Sequence, residues 1–414
     1  MSDPPISRCR ICGCAKLHDV FSVGTIALSD FVKQGSKEIF APLDLVMCDP
    51  KEGCALVQLK HPAVSPESMY RQYWYKSGTN QTMRDALADI TQCAEQLVPL
   101  KASDVVIDIG ANDGTLLRNY RAKGIKKIGF EPAKNLRADA EQGGNTIISN
   151  FFNRVEFAPL GVAKAKVITS IAMFYDLEDP NQFVADIASC LAPDGLWVIQ
   201  LAYEPVMLAQ NGFDNIVHEH VEYYSFRPLE VLLKRHKLEA FDVSFNDING
   251  GSIRVYVRHT GTKIEGFPGA AARVAEVRRK EEEEGINTIA VYVAFRKRID
   301  HIKQQLCDFI RARVAEGKII HIYGASTKGN TLLQHFGLDH KLIAAAAERN
   351  SDKWGLKTVA THIPIISEEE SRKAKPDYYL VLPWHFLDEF VKREQAYLQA
   401  GGHFIVPLPE FRVI

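Results

Sequence analysis

The stretch Val105–Leu117, VVIDIGANDGTLL, constrains the fold of this 414-residue chain more than any other. Val105 to Ile109 are mostly β-branched and suit a strand buried on both faces. The chain then turns through Gly110-Ala111-Asn112-Asp113-Gly114 and resumes with helix-compatible residues from Leu116. A glycine turn between strand and helix lets backbone approach a ligand closely and aims free N–H groups at it. A second apolar run, IGF, ends in Glu131, placed where an acid accepts both hydroxyls of a ribose in a doubly wound sheet. The loop has the spacing of neither a dinucleotide fingerprint nor a P-loop.

Strand and helix patterns alternate from about residue 101 to 240. VVIDI, KIGF, TIIS, KVITSIAMF and GLWVIQL read as strands, and DPNQFVADIASCLAP reads as a helix between two of them. LAPDGL reads as a turn. The alternation predicts a parallel sheet with helices on both faces, and ligands then sit at the carboxyl ends of its strands. Asp108, Gly110, Asn112 and Gly114, with Glu131, Asn150, Tyr175-Asp176 and Gln200, fall on that one rim.

With 50 basic and 51 acidic residues the net charge is −1, so no electrostatic footprint for nucleic acid or a membrane surface is present. No apolar run approaches the length of a membrane span, and MSDPPISRCR has no apolar signal core, so a cytoplasmic protein is expected. Eight cysteines there point to metal or free thiols before disulfides. CRICGC is answered by CDPKEGC, and two such turns can close a tetrahedral zinc site through Cys9, Cys12, Cys48 and Cys54. Cys14 is an alternative fourth ligand. Four thiolates leave no open position, so the site is expected to be structural, one ion per chain.

A helical pattern begins at Ser65-Pro66. YWYKSGTNQTMRDAL follows, with Tyr75, Lys76, Ser77 and Asn80 in a polar and aromatic cluster ahead of an amphipathic helix running to about Leu97. It reads as a lid whose Tyr75 hydroxyl and Lys76 reach a site, or as a connector with core aromatics. NGFDNIVHEHVEYYSF brings His218, Glu219, His220, Tyr223 and Tyr224 within seven residues. The histidines are two apart, which excludes the helical HExxH metal geometry. A strand or turn is expected to send both histidines to one side and Glu219 to the other. Histidine titrates near neutrality and is suited to proton abstraction.

The third region begins near Asp242. NGGSIRVYV reads as a turn into a strand, and VAEVRRKEEEEG as a solvated helix or loop. A long helix, Ile289 to about Ala315, leads into KIIHIYGASTKGN, a second strand, glycine loop and helix. Ser326, Thr327 and Lys328 at that helix N-terminus suit a pyrophosphate, although the spacing is not that of a P-loop. LIAAAAERN, THIPII, YYLVLPW and HFIVPLP supply further strands of a second α/β domain.

DIGANDG resembles motif I of the class I S-adenosylmethionine-dependent methyltransferases. The order CxxC, YKSG, DIGANDG, FEP, MFYDLEDP, HEHVEYYS, NGGSIRVYV and GASTKGN resembles, from Cys9 to Pro409, the sugar C-methyltransferases that act on nucleotide-linked 4-keto deoxysugars. The resemblance implies a zinc-binding domain over residues 1–66, a Rossmann-like methyltransferase domain over 67–240, and a second Rossmann-like domain over 241–414 that helps hold the nucleotide diphosphate. It implies the methionine moiety of the donor over the glycine loop, Glu131 on its ribose, Tyr75 lining the sugar site, Glu219 and His220 beside the ketone and C3, and Lys328 facing phosphate. Characterised relatives carry a tyrosine before HEH, where this chain has Val217, and a histidine near Tyr175-Asp176, where it has none. The chemistry implied is removal of the C3 proton by His220, with Tyr223, Tyr224 or Tyr75 donating to the enolate oxygen, and methyl transfer to carbon. O- or N-methylation, epimerisation by the same base, and a non-catalytic zinc scaffold are the competing readings. The expected partner is a nucleotide-diphosphate sugar, with no nucleic acid or membrane, and the expected state is a monomer or weak homo-oligomer.

Overall fold

A computed structural model describes residues 4–33, 35–62, 70 and 75–414. The helix start expected at Ser65-Pro66, and Tyr73-Trp74 ahead of Tyr75, lie outside the described residues.

Val105–Ile109 is a strand with all five residues buried, in the interior of a seven-stranded sheet. Lys126–Phe130 and then Thr146–Ile148 lie to one side of it. Ala165–Ile171 and then Leu191–Ala202 lie to the other, all parallel. Ser252–His259 pairs antiparallel to Leu191–Ala202, and Leu238–Asn246 closes the edge as its hairpin partner. The boundary expected at 240/241 therefore falls inside the first strand of that hairpin. LAPDGL loops out of the ladder between the pairs Ala165↔Leu191 and Val167↔Leu196.

The second parallel sheet is ordered Ile365–Ser367, Ala345–Glu348, Ile320–Tyr323, Tyr378–Val381 and His403–Val406, with Arg412–Val413 antiparallel at its edge. Both sheets start in the middle and wind outward in two directions, so each is doubly wound. The helix Ile289–Ala315 buries Tyr292, Phe295, Ile299, Ile302, Leu306 and Ile310, an apolar stripe at spacings of three and four. The charged run before it forms the helix Ala270–Glu283. Not all of that run is solvated. Glu281 is buried and accepts the Tyr203 hydroxyl at 2.6 Å, because one turn of the helix packs against the central domain.

The N-terminal domain is an antiparallel sheet of Leu17–Ala27, Phe40–Cys48 and Val57–Leu59, completed by Glu222–Tyr223 from the HEHVEYY segment. It also leans on the C-terminal domain, where Phe21 packs on Phe295 with ring centroids 5.2 Å apart. Phe31–Val32 pairs with Lys357–Thr358. Gln334 of the C-terminal domain extends the ladder with its side chain. Its Oε1 accepts the Ala27 N–H at 2.7 Å and its Nε2 donates to the Ala27 carbonyl at 3.2 Å. Ala27 is fully buried, so truncating Gln334 leaves two backbone groups without partners. Gln334→Ala should lower unfolding stability by about 2 kcal/mol in a denaturant titration, whereas a surface contact would cost less than about 0.5 kcal/mol.

Candidate functional site

Two turns carry the sulfur ligands. In the first, Cys9 N–H donates to the Cys14 carbonyl and Gly13 N–H to the Cys9 carbonyl, with Gly13 at φ +74°. In the second, five residues separate Cys48 from Cys54, yet the turn closes because Asp49 folds it. Its Oδ1 accepts the N–H groups of Lys51 and Glu52 at 2.9 and 2.8 Å, and its Oδ2 meets His18 at 2.8 Å. A Cβ on Gly53 would stand 2.2 Å from the Cys48 sulfur, so only glycine fits. The Sγ atoms of Cys9, Cys12, Cys48 and Cys54 lie within 4.8 Å of one another. Tetrahedral zinc with bonds of about 2.3 Å spaces its sulfurs by roughly 3.8 Å, so the set fits the ion. Cys14 stands outside it. The site is far from an open ligand position and joins the core shared with the central domain.

A single cavity of about 430 Å³ holds the rest of the chemistry, between the carboxyl ends of both parallel sheets. At one end lies the glycine loop. Gly110, at φ +72°, leaves backbone exposed where a Cβ would press to 3.3 Å from Met173. The Glu131 carboxylate stands at the tip of the next strand and accepts the N–H groups of Asn112 and Ala133, each at 2.8 Å. Burial raises its affinity for a proton. Asp108 lies beneath the loop, held by the Thr169 hydroxyl at 2.6 Å and pushed up to about 7 by burial. An open glycine backbone beside an acid on the second strand suits the methionine and ribose parts of S-adenosylmethionine. The segment after Tyr75 is fastened to this loop. Ser77 N–H donates to Asn112 Oδ1 at 2.9 Å, Asn112 Nδ2 donates to the Tyr75 carbonyl at 3.0 Å, and Gly78 N–H donates to Asp113 at 2.7 Å.

At the other end are Glu219, His220 and Lys328. The HEH segment is a turn, with His220 N–H donating to the Val217 carbonyl, so the two-sided alternation of a strand does not hold. Glu219 and His220 both face the cavity, and His218 turns away to meet the Ala41 carbonyl at 3.2 Å. His220 Nδ1 lies 2.8 Å from the Asn215 carbonyl, which only accepts. The ring therefore carries its hydrogen on Nδ1 and keeps a lone pair on Nε2. Burial, followed by the charge of Lys328, pushes His220 down to about 3. Its ring stands edge-on to Tyr175 at 4.4 Å. Burial pushes Glu219 up to about 7. Lys328 is half-buried, its affinity for a proton is lowered by desolvation, and Asp214 is its nearby countercharge.

Several expected residues lie outside the cavity. Gln200 Oε1 accepts from Arg254 at 2.9 Å and Asn246 at 3.0 Å, inside the sheet. Lys76 pairs with Asp139 at 2.8 Å on the surface. Asn80 and Ser326 are helix caps, bonded to the N–H groups of Thr82 and Gly329. Gly114 shapes the loop, since a Cβ there would meet the Ala140 carbonyl at 2.6 Å. Tyr224 donates to Glu222 at 2.6 Å, and Tyr223 is buried behind His220. Tyr75, Ser77, Asn150 and Thr327 do line the cavity, joined by Ser29, Asp176 and Asn249. Nothing local in the sequence marks Ser29, which arrives from the N-terminal domain.

Removing zinc should unfold the N-terminal domain, because the ion contributes on the order of 10 kcal/mol to a site of this kind. Elemental analysis should give about one zinc per chain, and Cys12→Ser should lower both zinc content and melting temperature. Protein that melts identically with and without its metal would contradict the structural role. Glu131→Ala should weaken S-adenosylmethionine by about 1.5–3 kcal/mol in calorimetry, because two ribose hydroxyls lose a charged acceptor.

Residues 247–409 match the family model for the C-methyltransferase C-terminal domain, 79–243 a methyltransferase domain, and 9–70 a zinc binding domain. C-methyltransferase NovU of Streptomyces niveus is 33% identical over 99% of this chain and 97% of its own. Among solved structures, the N-methyltransferase NodS from Bradyrhizobium japonicum is 13% identical over 44% of this chain and 98% of that one, at a TM-score of 0.34. Mitomycin 7-O-methyltransferase MmcR is 14% identical over 44% and 59%, at 0.32. Likenesses of that size say nothing about chemistry. The full-length relative and the three family models along its length show that the chain belongs to the C-methyltransferase family, as an S-adenosylmethionine-dependent enzyme with a zinc-binding N-terminal domain.

Proposed function

We propose that this enzyme methylates C3 of a nucleotide-linked 4-keto deoxysugar through an enolate. The observation that carries the reading is the His220 imidazole, fixed by the Asn215 carbonyl with the lone pair on Nε2 at the cavity wall. A carbon beside a ketone needs such a base, because its hydrogen is acidic only through the adjoining carbonyl. S-adenosylmethionine, when bound, supplies a methyl group already activated by positive sulfur. The protein's share is binding, alignment and proton transfer.

Glu131 binds the donor ribose, and the glycine loop leaves room for its methionine part. Tyr75 and Ser77 cover the cavity from above that loop. His220 Nε2 takes the C3 proton and holds it as imidazolium, with Nδ1–H still donating to Asn215. Lys328 and Thr327, at a helix N-terminus, bind the pyrophosphate of the sugar nucleotide. The C-methyl chemistry in the name of the Streptomyces relative favours carbon over oxygen or nitrogen as the acceptor.

With S-adenosylhomocysteine bound in place of the donor, the wild-type enzyme should exchange the C3 hydrogen of a nucleotide 4-keto deoxysugar with solvent deuterium. His220→Asn should abolish that exchange while both ligands still bind. The base works only when neutral. Protonation near pH 3 in place of 6.5 means that exchange should hold its rate well below pH 6 and fall only as acid reaches His220 or unfolds the protein. Full exchange by His220→Asn would assign the proton to another group.

A further inference from the structure

An enolate needs a hydrogen-bond donor at its oxygen as much as a base at its carbon. Neither tyrosine after the HEH turn serves. Tyr224 is committed to Glu222, and Tyr223 lies behind His220. Tyr75 does line the cavity, but the charge its phenol feels is that of Asp113, which places it at the glycine-loop end.

Glu178 also lines the cavity but pairs with Arg10, which leaves two carboxyl groups on the His220 side among the described residues. Asp176, one residue beyond the Tyr175 ring that packs on His220, lines the cavity with Glu219. Its Oδ1 is wholly shielded and has no hydrogen-bond partner among the described residues, although the Tyr70 hydroxyl bonds to the same carboxyl group. Among the described residues no cation forms an ion pair with either acid. Asp176 faces the Glu219 and Glu222 carboxyls and the Tyr70 hydroxyl, and the Tyr223 phenol lies close to it. Glu219 faces Asp30 from the N-terminal domain. The charge of Lys328 acts on His220, Asp214 and His385. Among the described residues, every ionised neighbour of the two acids is therefore negative. Neighbouring carboxylates in a dry site cannot both ionise, and a carboxylic acid kept neutral this way becomes a strong donor to an oxyanion.

We infer that Asp176 and Glu219 hold a proton between them and present it to the carbonyl oxygen of the substrate, as the acid partner of His220. This rests on the enolising reading above. In the step, the C–H bond breaks and its proton passes to His220 Nε2. Its electron pair forms the new C=C bond, and the carbonyl π pair moves onto oxygen. There it meets the proton of the acid pair, which returns to the carboxyls when the C=O bond reforms. No oxidant or further reactant is required. Asp176 is thereby a catalytic residue, close to where this chain lacks the histidine of the relatives it resembles.

The test follows deuterium exchange at C3 of thymidine- and uridine-diphosphate 4-keto-6-deoxyglucose, with S-adenosylhomocysteine bound, across the pH range in which the enzyme stays folded. Wild-type exchange should fall on the basic side as the pair loses its last proton. Asp176→Asn and Glu219→Gln should each lower the rate by about 10²–10³. Each should also move that basic limb to lower pH, because the remaining acid no longer has a charged neighbour holding its proton. A structural role would lower the rate and leave the limb in place. Infrared difference spectra at neutral pH should show each variant losing a protonated-carboxyl stretch. Wild-type exchange with an unmoved limb in both variants, or no lost carboxyl band, overturns the acid pair alone. No wild-type exchange on either sugar nucleotide overturns the enolising reading, and the carboxyl band then still decides whether the two acids share a proton.

Discussion

The backbone of Val221 ties three parts of the molecule together. Its N–H donates to the Tyr175 carbonyl of the central domain at 2.8 Å, and its carbonyl accepts the Leu59 N–H of the N-terminal sheet at 2.8 Å. The next two residues, Glu222–Tyr223, add a strand to that sheet. The two cavity residues just before Val221 are Glu219 and His220. Their positions thus depend on a ladder rung on one side and on the Tyr175 loop on the other. Loosening either would displace the imidazole, and a displacement of about an ångström is enough to slow proton transfer by about 10²-fold.

This gives the zinc turns a reach beyond their own domain. Cys48 ends the strand Phe40–Cys48, and Cys54 leads directly into Val57–Leu59, the strand that receives Glu222–Tyr223. The four sulfurs thus stand at the ends of the two strands that make the bed on which the HEH turn lies. The two parallel sheets share a further device. In each, an acid at the tip of the second strand accepts one amide from the glycine loop, Asn112 on Glu131 and Ala325 on Glu348, and others from the residues just after itself, Ala133 in one and Arg349 and Asn350 in the other. Glu348 also has Lys353 within 3.6 Å, whereas no cation among the described residues pairs with Glu131. One layout serves two different electrostatic settings, although no residue-level repeat relates the halves.

Features carried by short stretches were legible in the sequence. The buried strand, glycine turn and acid at Glu131 are local, as are the cysteine pairs, and the structure brings each set together. Long-range features were not. The strand alternation expected of HEH fails because Glu222–Tyr223, not the histidines, pairs with the N-terminal sheet, and the chain must turn to reach it. Gln200 reads as a rim residue by position, but Arg254 on the antiparallel neighbour claims its carbonyl. Lys76 has the chemistry of a ligand contact, yet Asp139 lies closer. Each miss was decided by a partner dozens of residues away.

The fastening of residues 75–78 to the glycine loop has a kinetic meaning. Three hydrogen bonds of about 0.5–1.5 kcal/mol each leave the loop unlatched for somewhere between one part in ten and one in two thousand of the time. Asn112 is common to the latch and to the ribose acid, since its side chain holds Tyr75 and Ser77 while its N–H holds Glu131. Each Glu131 oxygen accepts one backbone N–H and keeps a further lone pair, so a ribose binds the carboxylate without breaking those bonds, and donor and latch meet at one residue, Asn112.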